Sequence, residues 1–149
     1  MHRDRVVAAP PAEVWGVVGD PASLGRWWPR VERVETVDSA GFTEVYRTKK
    51  GTPVRADFRI ATLEPEQEIR VVQQLEGTPF ARIFSAASKR ATLAAVEAGA
   101  GGTRVMLELD QSPAGMARFG SFMVRGAMRK QLDEALDALA ALFDRATGA

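Results

Sequence analysis

The sequence predicts an α+β fold: an antiparallel sheet of about seven strands, two short helices after the first strand, and a long C-terminal helix. Three observations predict it. Apolar and polar residues alternate from Val31 to Gln111 with only short turns between the alternating runs, which favours hairpins over parallel strands with long crossovers. Proline-led helix signals precede this region. A helical pattern follows it, from Ser112-Pro113 to about Arg145.

Prolines and one aspartate predict the two short helices. Pro10 and Pro11 can open the first helix, because the fixed φ of proline suits the first turn and its missing N–H is not needed there. Asp20 can cap the second helix, with Pro21 as its first residue. A strand-like run precedes the first helix, so the predicted order is strand, helix, helix, strand.

The Trp27-Trp28-Pro29 segment ends the second helix and leads into a strand. Adjacent residues on a short helix cannot both face the same core. We therefore expect one tryptophan to be buried against the sheet and the other to be partly exposed at a pocket entrance, with Trp28 favoured as the pocket member.

Period-two alternation and turn residues place the strands. We expect them near 3–9, 31–37, 42–49, 54–64, 67–76, 88–98 and 103–111. In the fourth strand Val54, Ala56 and Phe58 alternate with charged residues, as in a sheet with one face in the core and the other in water. Residues 77–87 do not have a strand pattern. They predict either a loop that tucks its aromatic side chains into the core or a flap over the mouth of a cavity.

The last helix changes its apolar face halfway along. Its first part carries Met116, Phe119, Gly120, Met123 and Ala127 on one side. Its second part carries the stripe Met128, Leu132, Leu136, Leu139 and Phe143. The two stripes differ by roughly 160° around the axis. We expect a break or kink near Gly126, a second copy of the chain against the first part, or a wide cavity that accepts both faces.

Composition limits the class of protein. A chain of 149 residues is expected to be one domain, 1–149, large enough to bury a core. The net charge of +1 gives no field that favours nucleic acid, and no apolar run is long enough to span a membrane. The N-terminus lacks the apolar segment of a signal peptide and the chain has no cysteine, so we expect a cytoplasmic protein.

Residues for common catalytic and metal sites are missing from the sequence. His2 is the one histidine and lies at the terminus, which argues against Ser-His-Asp catalysis and against a metal site. The glycines at 99–102 precede a strand and lack the G-K-[ST] signature of a phosphate loop. Arg47, Lys49 and Lys50 belong to a basic set that acidic residues interrupt, which is typical of a solvated sheet face. We expect no metal, cofactor or nucleic acid.

The order of motifs resembles that of the START-like (SRPBCC) superfamily, which includes the polyketide cyclase/dehydrase and Bet v 1-like proteins. The resemblance lies in the proline-led helix with its tryptophan, the Asp20-Pro21 break, the Trp27-Trp28-Pro29 stop and the long last helix. These motifs cover nearly the whole chain and are specific for fold but weak for function. The resemblance implies a helix-grip fold, in which the sheet curves around the last helix and encloses a cavity for an apolar ligand.

Candidate ligand-binding residues follow from the inward apolar positions near the first part of the last helix. They are Trp28, Phe58, Val71, Phe80, Phe84, Thr92, Met116, Phe119, Gly120 and Met123. Tyr46, Gln73 and Arg90, with Thr92, can supply hydrogen bonds in this pocket. A one-residue slip of register would instead place Arg90 in water.

The leading functional interpretation is binding or transport of a small hydrophobic ligand, such as a lipid, an isoprenoid or a polyketide-like compound. One alternative is a polyketide aromatase/cyclase, which needs polar groups to polarise a carbonyl and an acid or base. Another is a protein-interaction module that resembles Hsp90 co-chaperone-like members. The expected partner is a small hydrophobic molecule, without integral membrane contact, and a homodimer is possible.

Overall fold

The computed structural model describes residues 1–48, 50–96, 101–114 and 121–147, without the side chains of 121–124 and 145–147. Seven strands are described: β1 (His2–Val7), β2 (Val31–Glu35), β3 (Gly41–Arg47), β4 (Pro53–Glu64), β5 (Glu68–Gln73), β6 (Phe84–Ala95) and β7 (Thr103–Pro113). The α-helices are α1 (Pro11–Val18) and α2 (Ser121–Thr147), and the 3-10 helices are Pro21–Arg26 and Pro79–Arg82.

The strands form one antiparallel sheet in the order β1-β7-β6-β5-β4-β3-β2. Consecutive strands from β2 to β7 are neighbours in the sheet. The first strand, β1, pairs with the last one, β7. The curved sheet holds α2 against its inner face, which confirms the predicted helix-grip fold. At the edge of the sheet, Arg3 Nε lies 2.8 Å from Asp133 Oδ1, and Arg5 forms a second ion pair with Asp137. These pairs attach α2 to the first strand.

The two short helices begin as the sequence predicts. Pro11 is the first residue of α1, after Pro10 in an extended conformation. The Asp20 carboxylate accepts a hydrogen bond from the backbone N–H of Ala22 at 3.0 Å, and Pro21 opens the 3-10 helix. The starts of both helices are therefore set by local features, namely the geometry of proline and a side-chain cap.

The core lies between the sheet and α2. The second apolar stripe of the last helix is confirmed, since Leu132 and Leu139 are fully buried and the other stripe residues are buried with them. The alternation in β7 is confirmed too, with Leu107 and Leu109 buried.

The expectation of a helix start at Ser112-Pro113 is wrong. Pro113 is the last residue of β7 and pairs with Phe84 of β6. The backbone N–H of Ala114 continues this edge by donating to the carbonyl of Ile83 at 2.9 Å. A residue before proline is pushed towards extended backbone, so Ser112-Pro113 suits a strand end as well as a helix start.

The sequence prediction for residues 77–87 is correct only in part. Pro79–Arg82 forms a 3-10 helix, but β6 already begins at Phe84, four residues before the predicted strand. The pairing of Phe84 with the end of β7 supplies this extension. Such long-range pairing has no local signal in the sequence.

The prediction that one tryptophan is exposed is wrong. Trp27 and Trp28 are each 4% exposed, and their rings meet edge to face with centroids 5.5 Å apart. Trp27 ends the 3-10 helix with a non-helical backbone, φ −141° and ψ −26°. The rule for adjacent residues on a regular helix therefore does not apply, and both rings enter the core.

The break expected in the last helix near Gly126 is also wrong, while the kink named as its alternative stays a prediction. Within the described residues α2 is continuous from Ser121 to Thr147. Gly126 is exposed, and a Cβ atom at this position would meet no other atom within 4 Å. No close contact requires glycine there. The residues 115–120 and the side chain of Met123 lie outside the described part, so the apolar stripe of the first half of the last helix stays a prediction.

Candidate functional site

Among the described residues, two spaces bear on a ligand site. The first, here called the inner cavity, has a volume of about 40 Å³. It is lined by Trp27, Trp28, Phe42, Glu44, Val71 and Lys89, among others. The second, the outer cleft, has a volume of about 410 Å³. It is lined by Tyr46, Val54, Gln73, Phe80, Phe84 and Ala127, with the exposed side chains of Arg30, Arg47, Lys130 and Glu134 around them.

The outer cleft lies between the ends of β3 to β6, the 3-10 helix Pro79–Arg82 and the beginning of α2. Four candidate residues meet there. They are Tyr46, Gln73, Phe80 and Phe84. The alternation in β5 explains the position of Gln73, since Ile69 and Val71 on the same face are buried. The structure thus brings two aromatic rings, a phenol and an amide to one space.

Two other candidates line the inner cavity, and a third lies near it. Trp28 and Val71 belong to the cavity wall. Phe58 is 5% exposed and stacks on Phe42, with ring centroids 5.4 Å apart. These three side chains pack in the core and do not line the outer cleft.

The inward orientation expected for Arg90 and Thr92 is wrong. Both alternate with Ala91 and Leu93, which are buried, so their side chains leave the opposite face of the sheet. Arg90 is among the residues around the inner cavity, but its guanidinium lies 3.7 Å from Glu68 Oε2 and 3.6 Å from Glu108 Oε2. The predicted register of β6 is one residue off.

Met116, Phe119 and Gly120 lie outside the described residues, and so does the side chain of Met123. Their placement at the pocket stays a prediction. Ala127, from the same predicted stripe, does line the outer cleft.

Sequence reasoning missed a buried ion pair between Glu44 and Lys89. The Glu44 side chain is 0% exposed, and Lys89 Nζ lies 2.5 Å from its Oε2. Tyr46 donates a hydrogen bond from its phenol to Oε1 of the same carboxylate. One carboxylate therefore joins a residue of the outer cleft to a lysine of the inner cavity.

Aromatic rings surround the ammonium group of Lys89. Its Nζ lies 4.4 Å from the ring centroid of Trp28 and 4.7 Å from that of Phe58. Such contacts stabilise a cation that has left water. Burial lowers the pKa of Lys89, and the neighbouring Glu44 opposes this shift. The ion pair with Glu44 is what makes a lysine tolerable in this core.

The phenol of Tyr46 is held in its neutral form. Burial raises its pKa well above the ordinary value of 10.0, and the negative charge and hydrogen bond of Glu44 raise it further. A phenolate beside a buried carboxylate would place two negative charges together. Tyr46 is therefore not suited to act as a base.

The mouth of the outer cleft carries two arginines with different surroundings. Arg47 Nη2 lies 2.8 Å from Glu32 Oε1, and the hydrogen bond from Arg47 lowers the pKa of Glu32. Arg30 has left-handed backbone, φ 68°, and has no ion pair with any residue that the structure describes. Of the two, Arg30 is the cation available to a ligand.

Across residues 1–48, 50–96, 101–114 and 121–147, no three His, Cys, Asp or Glu side chains are grouped as metal ligands would be. Neither α1 nor α2, as far as they are described, is long and apolar enough to cross a membrane.

Comparison with known proteins gives one family match. The family described as "Polyketide cyclase / dehydrase and lipid transport" matches residues 1–144. No curated protein matches the sequence significantly.

Solved structures with a similar fold cover nearly the whole chain. A Deinococcus radiodurans protein is 18% identical, with a TM-score of 0.68 over 100% of this chain and 98% of its own. A Chromobacterium violaceum protein is 20% identical, with a TM-score of 0.69 over 97% of this chain and 96% of its own.

A third similar structure is larger than this chain. It is the di-domain ARO/CYC BexL from the BE-7585A biosynthetic pathway, 15% identical, with a TM-score of 0.74 over 97% of this chain. This chain spans 49% of its length. At such identities the three structures show a shared fold only.

Proposed function

Because the chain belongs to the polyketide cyclase / dehydrase and lipid transport family, we propose that it binds a small, largely apolar molecule in the outer cleft. The observation that carries this proposal is the composition of the cleft. Phe80 and Phe84 supply apolar surface, while Tyr46 and Gln73 supply a few polar atoms. A volume of about 410 Å³ falls in the range of roughly 300–1,000 Å³ common for ligand sites.

The inner cavity does not serve this function. At about 40 Å³ it has room for little more than a water molecule. Its wall carries the paired charges of Glu44 and Lys89 and two indole N–H groups, of Trp27 and Trp28, that have no hydrogen-bond partner among the described residues. A space of this size is too small for a ligand of the proposed kind. The ligand, whether a lipid, an isoprenoid or a polyketide-like compound, therefore belongs in the outer cleft.

A fluorescent apolar compound and one pair of variants test this proposal. N-phenyl-1-naphthylamine should bind the wild-type protein and gain fluorescence. Ala127→Trp should weaken binding by about tenfold or more, because the indole fills the cleft that Ala127 lines. Arg129→Trp is the matched control, since Arg129 is exposed on the same helix and does not line the cleft. Equal binding by all three proteins would contradict a ligand site here.

A polyketide aromatase/cyclase is the second candidate function, favoured by the hydrogen-bonded set of Tyr46, Glu44 and Lys89 beside the cleft. Two observations argue against this function. Tyr46 donates its hydrogen bond to Glu44, and the raised pKa of Tyr46 excludes this residue as a base near neutral pH. Glu44 and Lys89 are paired and face the inner cavity. Incubation with a poly-β-keto thioester analogue, followed by mass analysis of the products, separates the candidates. Binding without cyclised product supports the first.

The protein-interaction alternative needs an exposed apolar patch. The large apolar side chains exposed among the described residues are Val6, Val37, Leu63 and Ile83, which lie on separate segments of the chain. Scattered single residues of this kind are ordinary on a protein surface. A homodimer through the first part of the last helix stays a prediction from the sequence.

A further inference from the structure

We propose that the ligand of the outer cleft carries a hydroxyl or N–H group that donates a hydrogen bond to the phenol oxygen of Tyr46. This inference rests on the proposed function and specifies its ligand as a hydrogen-bond donor, such as a phenol, an enol or a ring alcohol. It follows from the positions of the protons in the buried network.

The carboxylate of Glu44 has two hydrogen-bonded neighbours, Lys89 and Tyr46. Lys89 Nζ lies 2.5 Å from Oε2, so the proton shared by these two groups lies between Nζ and Oε2. Oε1 carries no proton and can only accept a hydrogen bond. The hydrogen bond between Oε1 and the phenol of Tyr46 must then use the single hydroxyl proton of Tyr46.

Burial of Glu44 keeps the hydroxyl proton of Tyr46 in place. Glu44 is 0% exposed, and no other described side chain donates to its Oε1. If Tyr46 turned its hydroxyl towards the cleft, a buried carboxylate oxygen would lose its donor, which is unfavourable. Lys89 cannot move to replace that donor easily, because its ammonium is held between the rings of Trp28 and Phe58.

Tyr46 is at once the donor to Glu44 and a residue of the cleft wall. With its proton committed to Glu44, the phenol oxygen retains lone pairs that can only accept a hydrogen bond. Because Tyr46 lines the cleft, we infer that a ligand there meets these lone pairs. An ether or carbonyl oxygen of a ligand finds no free donor in Tyr46. Gln73, also in the cleft, has no side-chain hydrogen bond to a described residue and can either donate or accept, so it does not impose the same choice.

Two naphthalenes that differ in one group test the inference. The affinities of 2-naphthol, a donor, and 2-methoxynaphthalene, an acceptor only, are measured by fluorescence for the wild-type protein and for Tyr46→Phe. The ratio of the two affinities cancels most of the packing contribution of the ring. We expect the preference for 2-naphthol to be about fivefold or more greater in the wild type than in Tyr46→Phe, as for loss of one hydrogen bond.

Phe80→Leu is the matched control for this comparison. It removes apolar contact from the same cleft without a polar atom, so it should weaken both compounds and leave their ratio unchanged. A second form of the protein covers the case in which Tyr46→Phe does not fold. Tyr46 is the one tyrosine of the chain, so growth on 3,5-difluorotyrosine changes this residue alone. It keeps the donor to Glu44 and weakens the oxygen as an acceptor, and should therefore reduce the preference for 2-naphthol.

Each outcome has a separate meaning. A preference for 2-naphthol that falls in both altered proteins supports the inference. Binding of both compounds with the same ratio in all proteins overturns the inference and leaves the proposed function standing. A wild-type preference for 2-methoxynaphthalene that Tyr46→Phe removes also overturns it, because Tyr46 would then donate to the ligand. Failure of both compounds to bind overturns the proposed function, and this inference with it.

Discussion

The phenol of Tyr46 donates a hydrogen bond to Oε1 of Glu44, which connects the wall of the outer cleft to a carboxylate in the core. The other oxygen of that carboxylate pairs with Lys89. A buried ion pair is a poor way to stabilise a protein, because desolvation offsets most of the attraction. In the proposed site, the pair would serve to orient the hydroxyl of Tyr46.

Removal of Lys89 should destabilise the protein strongly. Lys89→Met leaves the fully buried Glu44 without its counter-charge, and we expect the free energy of unfolding to fall by about 3–5 kcal/mol. Glu44→Gln combined with Lys89→Met should recover most of this loss. No charge is then buried, and the amide oxygen of the introduced glutamine can still accept a hydrogen bond from Tyr46. Urea unfolding measures each change.

An exposed ion pair is the control for this experiment. Arg104 Nη1 lies 3.0 Å from Asp4 Oδ2, and both side chains are about half exposed. Arg104→Met should cost less than about 1 kcal/mol. If Lys89→Met cost no more than Arg104→Met, the Glu44–Lys89 pair would not be buried as the structure has it.

The pKa of Tyr46 should be visible in a single titration. The near-ultraviolet absorbance of phenolate reports this residue alone, since the chain has one tyrosine. Burial, and after it Glu44, raise the pKa of Tyr46 above 10.0 in the folded protein. The folded state then holds a proton that the unfolded state loses above about pH 10. The contribution of Tyr46 to stability is thus complete below that pH and is lost as the pH rises through the pKa of the folded state.

We therefore expect no phenolate in the native protein at a pH where the urea-denatured chain is half ionised. The denatured chain is the internal control, because it removes burial and the contact with Glu44 together. Equal titration of the native and denatured proteins near pH 10 would show that Tyr46 is exposed and not bonded to Glu44.

Gly126→Ala should stabilise the protein. Gly126 is an exposed residue inside α2, and a Cβ there meets no atom within 4 Å. Alanine should raise the free energy of unfolding by about 0.5–1 kcal/mol through its higher helix propensity. Gly41→Ala is the contrasting control, because its Cβ would collide with the carbonyl oxygen of Phe58 in the neighbouring strand. A loss of stability in Gly126→Ala would contradict a regular helix at this position and support the break expected from the sequence.

The fold could be predicted from the sequence where the signals are local. Proline at the start of α1, the Asp20 cap and the alternation around Leu107 and Leu109 each depend on a few neighbouring residues. The wrong predictions concern features that depend on contacts between residues far apart in the sequence. Ser112-Pro113 suits either a helix start or a strand end, and only the pairing of Pro113 with Phe84 decides between them.

Of the residues expected at the pocket, Tyr46, Gln73, Phe80 and Phe84 line the outer cleft, while Trp28, Phe58 and Val71 pack in the core. The charged residues behind the cleft were not expected. Gln73 follows from its alternation with Ile69 and Val71, whereas no alternating pattern was used for Tyr46. Lys89 was missed because the predicted register of β6 is one residue off. The observed inward residues Ala87, Ala91 and Leu93 are more apolar than the expected set with Ser88, Arg90 and Thr92, so the correct register has a signal in the sequence. Glu44 becomes acceptable in the core only through a lysine 45 residues away, and no local pattern contains that partner.

The most direct test of a ligand site in the outer cleft is a fluorine NMR titration at Tyr46. Protein grown on 3-fluorotyrosine carries a single fluorine-labelled residue, because the chain has one tyrosine. Addition of 2-naphthol should shift this signal to saturation, with the same dissociation constant as the fluorescence measurement. The shift should be lost in Ala127→Trp and kept in Arg129→Trp. Saturable binding of 2-naphthol that leaves the Tyr46 signal unchanged would contradict the account, because the ligand would then lie elsewhere on the protein.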